Sequence, residues 1–203
     1  MTDNEFILED RLAKIRQTIE KYGEENFYIS FSGGKDSTVL SWLVDAALPD
    51  NKIPRIFSNT GIELKMIVDF VKLLAESDER FIILKPTVNI KKMLEENGYP
   101  FKSKFHSREV YDFWKRGGKH TKTTSEYVYN SRWHARTCPN VLKYQFEEKP
   151  DFPISDKCCD KLKKEPIHKW QKENNRPISI IGLMVDEGGD AKPQNVRFLK
   201  AIN

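Results

Sequence analysis

The residues best suited to carry chemistry lie together at positions 32–37, with the sequence Ser-Gly-Gly-Lys-Asp-Ser. An apolar run at 27–31 precedes them and is typical of a buried strand, and residues 37–44 resume with helical character. A strand, a glycine-rich turn and a helix start present free backbone N–H groups and the positive end of a helix, which bind phosphate. The side chains that can assist are three hydroxyl donors and one cation, namely Ser32, Ser37, Thr38 and Lys35. The stretch therefore predicts a phosphate-binding turn.

This turn differs from the common P-loop, which requires a glycine at position 29 and a serine or threonine at position 36. Ile29 and Asp36 occupy those positions here. The stretch instead resembles the PP-loop of the adenine nucleotide alpha-hydrolase superfamily, which includes ATP pyrophosphatases and phosphoadenosine phosphosulfate (PAPS) reductases. The resemblance implies an adenine nucleotide as ligand, either ATP or the sulfonucleotides PAPS or APS. The alternative is an ordinary glycine turn of an α/β protein, which the six matching residues in a strand-to-helix context disfavour.

Further segments are similar to segments of PAPS reductases. One follows a predicted strand at 55–58; there a Thr-Gly turn can expose backbone amides near the ligand, and Glu63 can cap the next helix. Another, at 98–108, has a Gly-x-Pro-x-x-Ser-Lys pattern. A plain turn and a solvated basic loop are the respective alternatives. The resemblance implies that the nucleotide-binding residues are Ser32, Gly33, Gly34, Lys35, Asp36, Ser37, Asn59, Thr60, Gly61, Glu63, Ser103, Lys104, Gly182 and Glu187.

One block departs from the family pattern, and one histidine needs a separate interpretation. In the block that contains Glu187, Gly188 and Ala191 stand where the family has serine and arginine, which puts full sulfonucleotide chemistry in doubt. His106, in the basic segment, is expected to be a surface histidine and not a catalyst.

Two adjacent cysteines form another candidate group. Cys158 and Cys159 lie beside several lysines, which should lower the thiol pKa values and favour the thiolate. Adjacent cysteines are poorly placed to form a disulfide with each other. The pattern resembles a Cys-Cys block of APS and PAPS reductase-like proteins, where the pair can ligate an iron–sulfur cluster with a later Cys-x-x-Cys.

Only one further cysteine, Cys138, is present, so a four-cysteine cluster cannot be assembled within this chain. A metal site built from Cys138, Cys158 and Cys159 would need a histidine, such as His134 or His168, or a second chain. Two partly buried structural thiols are the alternative.

The elements that must position these residues alternate between strand and helix. Helical spacing is predicted at 6–22, 37–47 and 62–76, and apolar strands at 27–31, 55–58, 81–84 and 178–185. This alternation predicts a Rossmann-like three-layer α/β/α fold with a mainly parallel sheet. Ligands of such sheets bind beyond the carboxyl ends of the strands, where the turn at 32–37 lies.

The middle of the chain is less regular. Residues 86–177 are rich in basic and aromatic side chains, with helical pieces predicted at 90–97, 108–115, 141–148 and 157–164. We interpret residues 1–203 as a single nucleotide-binding domain, with this stretch as an insertion that folds over the nucleotide edge.

The bulk composition limits the function classes. The 203 residues have a net charge of +4, which permits a polyanionic ligand without requiring one. No apolar stretch is long enough to cross a membrane and no signal peptide is apparent, so a cytoplasmic location is expected. Basic and aromatic residues near positions 114–116 and 132–136 permit nucleic acid but form no recognised motif. An oligomer is compatible with the sequence.

Three functions follow from the resemblance. The first is reduction of, or sulfur transfer from, a sulfonucleotide. The family's nucleophile lies in a C-terminal Glu-Cys-Gly-Leu-His segment that this sequence lacks, so the reaction lacks its nucleophile unless Cys158 or Cys159 takes that role or the natural protein is longer. A thiol reductant or a partner protein is compatible with this function. The second is ATP pyrophosphatase chemistry, with Asp36 helping to hold Mg²⁺. The third is a non-catalytic nucleotide-binding module, or one half of a split protein. The candidate catalytic residues are Lys35, Asp36, Cys158 and Cys159.

Overall fold

The computed structural model describes residues 2–129, 137–182 and 200–201. The helices in these ranges are α1 (Asp3–Tyr22), α2 (Lys35–Ala47), α3 (Lys65–Ser77), α4 (Ile90–Asn97), α5 (Lys104–Lys115), α6 (Lys122–Tyr129), α7 (Lys157–Cys159) and α8 (Glu165–Glu173). The strands are β1 (Phe27–Ser30), β2 (Arg55–Ser58), β3 (Phe81–Leu84), β4 (Ile178–Ile180) and β5 (Lys200–Ala201). Short 3₁₀ turns occupy Glu24–Asn26 and Asn140–Phe146, and a π-helical turn, Asp160–Lys164, joins α7 to α8.

The strands form one sheet in the order β3-β2-β1-β4-β5. The first four are mutually parallel, and β5 pairs antiparallel with β4. The predicted Rossmann-like α/β fold with a mainly parallel sheet is therefore confirmed. Because β1 lies between β2 and β4, the chain leaves β1 toward one side of the sheet and later returns on the other. The carboxyl ends of β1 and β4 thus flank a switch point of the topology, where open α/β sheets bind ligands.

Alternate residues of the strands pack on opposite faces of the sheet, which creates the three layers. On one face, Phe27 and Ile29 of β1 join a buried cluster with apolar residues of α1 and α2. Phe57 of β2 packs on the same side with residues of α3. On the other face, Tyr28 and Ile56 pack against Trp170 of α8. The edge-to-face contact of Tyr28 with Trp170, at 5.7 Å between ring centroids, fixes α8 on that face.

A buried arginine fastens α2 to the sheet. Arg55, the first residue of β2, is fully buried. Its guanidinium donates to Ser41 Oγ at 3.1 Å and to Asp45 Oδ1 at 2.5 Å, and both acceptors lie on α2. A buried charge is tolerated only when it is paired and hydrogen-bonded in this way. The pairing holds the helix that carries the start of the candidate site.

The chain divides into two compact units. One consists of residues 1–86 and 166–203 and contains the sheet, and the other is Thr87–Glu165. The second unit has its own apolar core, formed by Val110, Phe113, Tyr127, Val128, Cys138, Phe146 and Ile154. Helix α8 belongs to the unit with the sheet, so the compact inserted stretch ends before the predicted boundary at residue 177. The interpretation as one domain with an insertion stays a prediction.

The predicted elements of the second unit are partly revised. Helix α4 occupies the predicted positions, whereas α5 begins at Lys104, earlier than predicted, because Ser103 caps it by accepting a bond from His106 N at 3.1 Å. The piece predicted at 141–148 is a 3₁₀ turn. In the part of the chain that the structure describes, no helix is both long and apolar enough to cross a membrane.

Candidate functional site

The turn after β1 leaves a helix N-terminus open. Helix α2 begins at Lys35, and its N-cap, Gly34, has no side chain that could cap it. The first backbone bond of the helix runs from Thr38 N to Gly34 O at 3.1 Å. Because the opening N–H groups of a helix have no carbonyl partner within it, those of Lys35, Asp36 and Ser37 can serve an anion. The positive end of the helix dipole favours negative charge at the same place.

Ser37 holds this turn in shape. Its buried Oγ accepts a bond from Ser32 N at 3.2 Å, lies 3.0 Å from Ser32 Oγ and donates to Gly34 O at 3.0 Å. Thr38 Oγ1 also donates to Gly34 O, at 2.9 Å. These hydroxyls therefore brace the turn before any ligand binds. Their predicted contribution of donors to a phosphate stays a prediction.

Gly33 is required by both its backbone angle and its surroundings. Its φ of +73° lies in the left-handed region that side chains disfavour. A Cβ added here would lie 2.7 Å from Ile67 Cγ2 and 3.1 Å from Val71 Cγ2, both on α3. The turn thus lies directly against α3, and only a glycine fits between them.

Gly182 brings the loop after β4 to the same turn. An added Cβ at Gly182 would lie 3.1 Å from the carbonyl oxygen of Asp36 and 3.6 Å from Leu40 Cβ. The backbone after β4 therefore contacts the first turn of α2. Gly182, predicted from a distant part of the sequence, lies beside the turn at 32–37, at the switch point of the sheet. Glu187, predicted with it, lies outside the described residues.

The turn after β2 is closed by its own carboxylate. Glu63 accepts bonds from Thr60 N at 2.8 Å, Gly61 N at 3.1 Å and Thr60 Oγ1 at 2.7 Å. Gly61 N also donates to Asn59 Oδ1 at 3.0 Å. The expectation that this turn exposes those amides is therefore wrong, because Glu63 accepts their bonds. The predicted nucleotide contacts of this turn stay predictions, namely those of Asn59, Thr60, Gly61 and Glu63. Glu63 also does not cap α3, whose N-cap is Leu64 and has no side-chain cap.

Ser103 and Lys104 lie in the second unit, at the start of α5. Ser103 is the N-cap and Lys104 the first, exposed residue of the helix. One turn further on, Arg108 donates two bonds of 3.0 Å to Asp156 Oδ2. The predicted nucleotide contacts of Ser103 and Lys104 stay predictions.

The cysteines differ from their expected state. All three, Cys138, Cys158 and Cys159, are free. The expectation of lowered thiol pKa values is wrong for Cys158, because burial raises the pKa of that thiol. Cys138 lies in the apolar core of the second unit, where burial likewise raises its pKa.

The metal hypothesis gains no support from the donor geometry. Within residues 2–129, 137–182 and 200–201, no three His, Cys, Asp or Glu side chains are arranged to hold a metal ion. His168 is exposed on α8, and His134 lies outside the described residues. Three cysteines also do not supply the four thiolates that an all-cysteine cluster requires.

Sequence reasoning missed a buried polar chain in the second unit. His106 is fully buried, so the expected surface position is wrong. Its Nδ1 lies 2.9 Å from Tyr127 Oη, and its Nε2 lies 2.7 Å from Gln145 Oε1. Burial lowers the pKa of His106, which favours the neutral ring. The helical spacing of His106 with Val110 and Phe113 was the signal that could have placed it on the buried face.

A family comparison shows which family the chain belongs to. The model of the phosphoadenosine phosphosulfate reductase domain matches residues 26–133, more than half of the 203-residue chain. The chain belongs to this family. The matched span of the PAPS reductase domain includes the turn at 32–37, the turn after β2 and the start of α5. It ends before the cysteines and before Gly182.

A curated relative shares part of this PAPS reductase domain. The chain is 36% identical over 103 residues to an uncharacterized protein of Methanocaldococcus jannaschii. The alignment covers 46% of this chain and 25% of that relative, so the chain matches about a quarter of the relative's length. The family match supports a PP-loop nucleotide-binding protein, and the turn at 32–37 lies within the matched span.

Proposed function

We propose that this protein binds an adenine nucleotide with its terminal phosphate or sulfate group in the turn at 32–37, and that it acts on a sulfonucleotide such as PAPS. The observation that carries the proposal is the N-terminus of α2, where the described residues provide no acceptor for the first N–H groups of the helix. The braced turn and the backbone of Gly182 meet there, at the switch point. Lys35, exposed at the first helical position, would neutralise charge on the transferring oxygens.

Reduction of a sulfonucleotide needs a thiol as reductant. Cys158 and Cys159 are half-buried candidates within the chain, and a separate thiol reductant or partner protein is the other source. Because burial raises the pKa of Cys158, less of it is thiolate at neutral pH than in a free cysteine. An external thiol therefore fits the structure better than Cys158.

ATP pyrophosphatase chemistry is a second candidate, and Asp36 favours it. This carboxylate stands in the first turn of α2, beside the N–H groups that would receive the phosphates. Carboxylates that accompany substrate phosphates are the usual protein ligands of Mg²⁺. Asp36 would hold Mg²⁺ there, and the ion would neutralise charge on the phosphates.

Product analysis tests the proposal and separates its rivals. The purified protein is incubated with ATP and Mg²⁺, and separately with PAPS and dithiothreitol, while pyrophosphate and sulfite are measured. Sulfite from PAPS supports the first function, and pyrophosphate from ATP supports the second and overturns the first. Binding of either nucleotide without turnover indicates a nucleotide-binding module.

The matched variants are Lys35→Ala and Lys65→Ala, because both lysines are exposed first residues of helices that follow a strand. We expect product formation to fall only in Lys35→Ala. An equal loss in both variants would contradict the assignment of the turn at 32–37.

A further inference from the structure

A cavity of about 510 Å³ lies within the second unit, and none of its lining residues is among those assigned to nucleotide binding. Three aromatic rings line it, those of Tyr111, Trp114 and Phe152, together with proline and aliphatic side chains. Pockets of this size with a mainly apolar lining and a few polar groups are typical of ligand sites. The cavity therefore suits a ligand with a flat apolar face.

The aromatic rings are held in place without a ligand. Trp114 Nε1 donates to the Gln145 carbonyl oxygen at 2.8 Å, and its ring contacts Phe113 edge to face. Phe152 packs edge to face on Tyr99, with 6.2 Å between centroids, yet remains 43% exposed. Rings that are already ordered lose little conformational entropy on binding.

Lysine side chains surround the aromatic rings of the cavity. Lys115 and Lys149 line the cavity with exposed ammonium groups. The Tyr111 ring also has Lys115 Nζ at 5.9 Å and Lys157 Nζ at 5.5 Å from its centroid. Negatively charged groups of a ligand that stacks on these rings would therefore lie close to lysine ammonium groups. A single carboxylate in the lining, Asp151, can accept a bond from an amino group.

The second unit as a whole is also positively charged. Residues 87–165 contain 17 lysines and arginines and 11 aspartates and glutamates, a net charge of +6. The remainder of the chain has 17 basic and 19 acidic residues, a net charge of −2. Although the net charge of the chain is only +4, the second unit is basic enough for its electric field to attract polyanions.

We propose that this cavity binds a base of a single-stranded nucleic acid, with the neighbouring phosphates held by Lys115, Lys149 and Lys157. Single strands are bound by aromatic platforms that stack the bases beside cations that follow the backbone, and this cavity combines both. A duplex keeps its bases stacked on one another and cannot insert one at low cost. The cavity and the turn at 32–37 have no residue in common, so this proposal does not depend on the proposed function.

The test measures binding of a fluorescein-labelled single-stranded DNA of about 12 nucleotides, a length that spans an ordinary site. Fluorescence anisotropy is compared with that of the same sequence as a duplex. We expect tighter binding of the single strand, weakened by about tenfold when salt is raised about fourfold, as two to three phosphate contacts imply. Absence of binding at low salt, or equal binding of the duplex, would overturn the proposal.

Variants locate the binding site. Tyr111→Leu should weaken binding by about tenfold, as loss of one stacked base predicts. Lys149→Gln should weaken it about threefold and reduce the salt dependence. The matched controls are Tyr129→Leu and Lys122→Gln, which alter exposed side chains of α6 in the same unit. Both should leave affinity unchanged.

Thermal unfolding of every variant checks that the fold is intact. If Tyr111→Leu is destabilised, Lys149→Gln still tests the proposal, because the exposed Lys149 side chain can be changed without disturbing the fold. Equal affinity of the cavity and control variants would contradict the assignment.

A synthetic peptide of alternating glutamate and phenylalanine provides the rival ligand. If it displaces the DNA and binds more tightly, the cavity belongs to an acidic protein partner and the nucleic-acid proposal is wrong.

Discussion

Two turns at the same edge of the sheet occupy equivalent places but differ in whether their backbone amides are already hydrogen-bonded. Each follows a parallel strand, contains glycine and leads to a helix whose first residue is an exposed lysine, Lys35 in α2 and Lys65 in α3. The turn after β1 leaves its helix N-terminus open. In the turn after β2, the Glu63 carboxylate accepts bonds from two backbone amides.

The difference shows that glycine content alone does not make an anion site. Amide groups bind a ligand only where no acceptor of the chain already occupies them. Glu63 is an internal anion that stabilises one turn. The other turn is braced through the hydroxyl of Ser37, and the part of the chain that the structure describes provides no acceptor for the first N–H groups of its helix. The amides of one turn are therefore occupied by a carboxylate of the chain, whereas those of the other are available to a phosphate.

The largest effect is expected from Gly33→Ala, which breaks the open turn. Left-handed strain and the close approach of Ile67 should together cost about 3 kcal/mol of unfolding free energy. Gly117→Ala is the matched control, because Gly117 has a similar φ of +70° and nothing within 4 Å of an added Cβ. It should cost about 1 kcal/mol. Urea unfolding measures both, and equal losses would show that packing against α3 is unimportant.

A smaller loss is expected from Glu63→Ala, which empties the closed turn. Removing the acceptor of two amides and one hydroxyl should cost about 2 kcal/mol. Glu76→Ala, which removes an exposed carboxylate of α3, should change the unfolding free energy by less than about 0.5 kcal/mol. If both variants unfold at the same urea concentration, the Glu63 contacts do not stabilise the turn.

Gly182→Ala probes the contact between β4 and the open turn. The added methyl group must displace the first turn of α2, at a cost of about 1 kcal/mol. Nucleotide affinity should fall with it, because the N–H groups of that turn are shifted. Isothermal titration with ATP checks this prediction. Unchanged affinity with reduced stability would separate Gly182 from the nucleotide site.

The smallest effect is expected from inorganic phosphate, which should fill the open turn alone. Compared with chloride at equal ionic strength, it should stabilise the protein by about 0.5 kcal/mol beyond its general effect on proteins. Lys35→Ala should retain only the general effect, and Glu63→Ala should gain extra stabilisation as phosphate enters its emptied turn. Differential scanning fluorimetry measures the three shifts, and identical shifts would contradict the comparison.

The regular part of the fold was predictable from sequence because short-range patterns determine it. The strands at 55–58 and 81–84 were predicted with their observed bounds, since apolar β-branched and aromatic runs between turns specify them. The turn at 32–37 was predictable because the glycines and hydroxyls that shape it contact residues only a few positions away.

Long-range contacts explain what the sequence did not reveal. The closure of the Thr60–Gly61 turn is a local exception, because it depends on where the Glu63 carboxylate points and the sequence does not specify that orientation. The raised pKa of Cys158 depends on burial, which the neighbouring lysines did not indicate. His106 is buried because Tyr127 and Gln145 satisfy its ring, and these partners are 21 and 39 residues away. No local pattern specifies such contacts.

Nucleotide affinity of the two lysine variants tests the central claim most directly. Isothermal titration of ATP and of PAPS is performed on the unaltered protein, on Lys35→Ala at the open turn and on Lys65→Ala at the closed turn. We predict that Lys35→Ala weakens the affinity for the preferred nucleotide by at least about tenfold, as loss of a charge-assisted contact implies, while Lys65→Ala leaves it unchanged. Unchanged affinity in Lys35→Ala would contradict the assignment of the nucleotide site to the turn at 32–37.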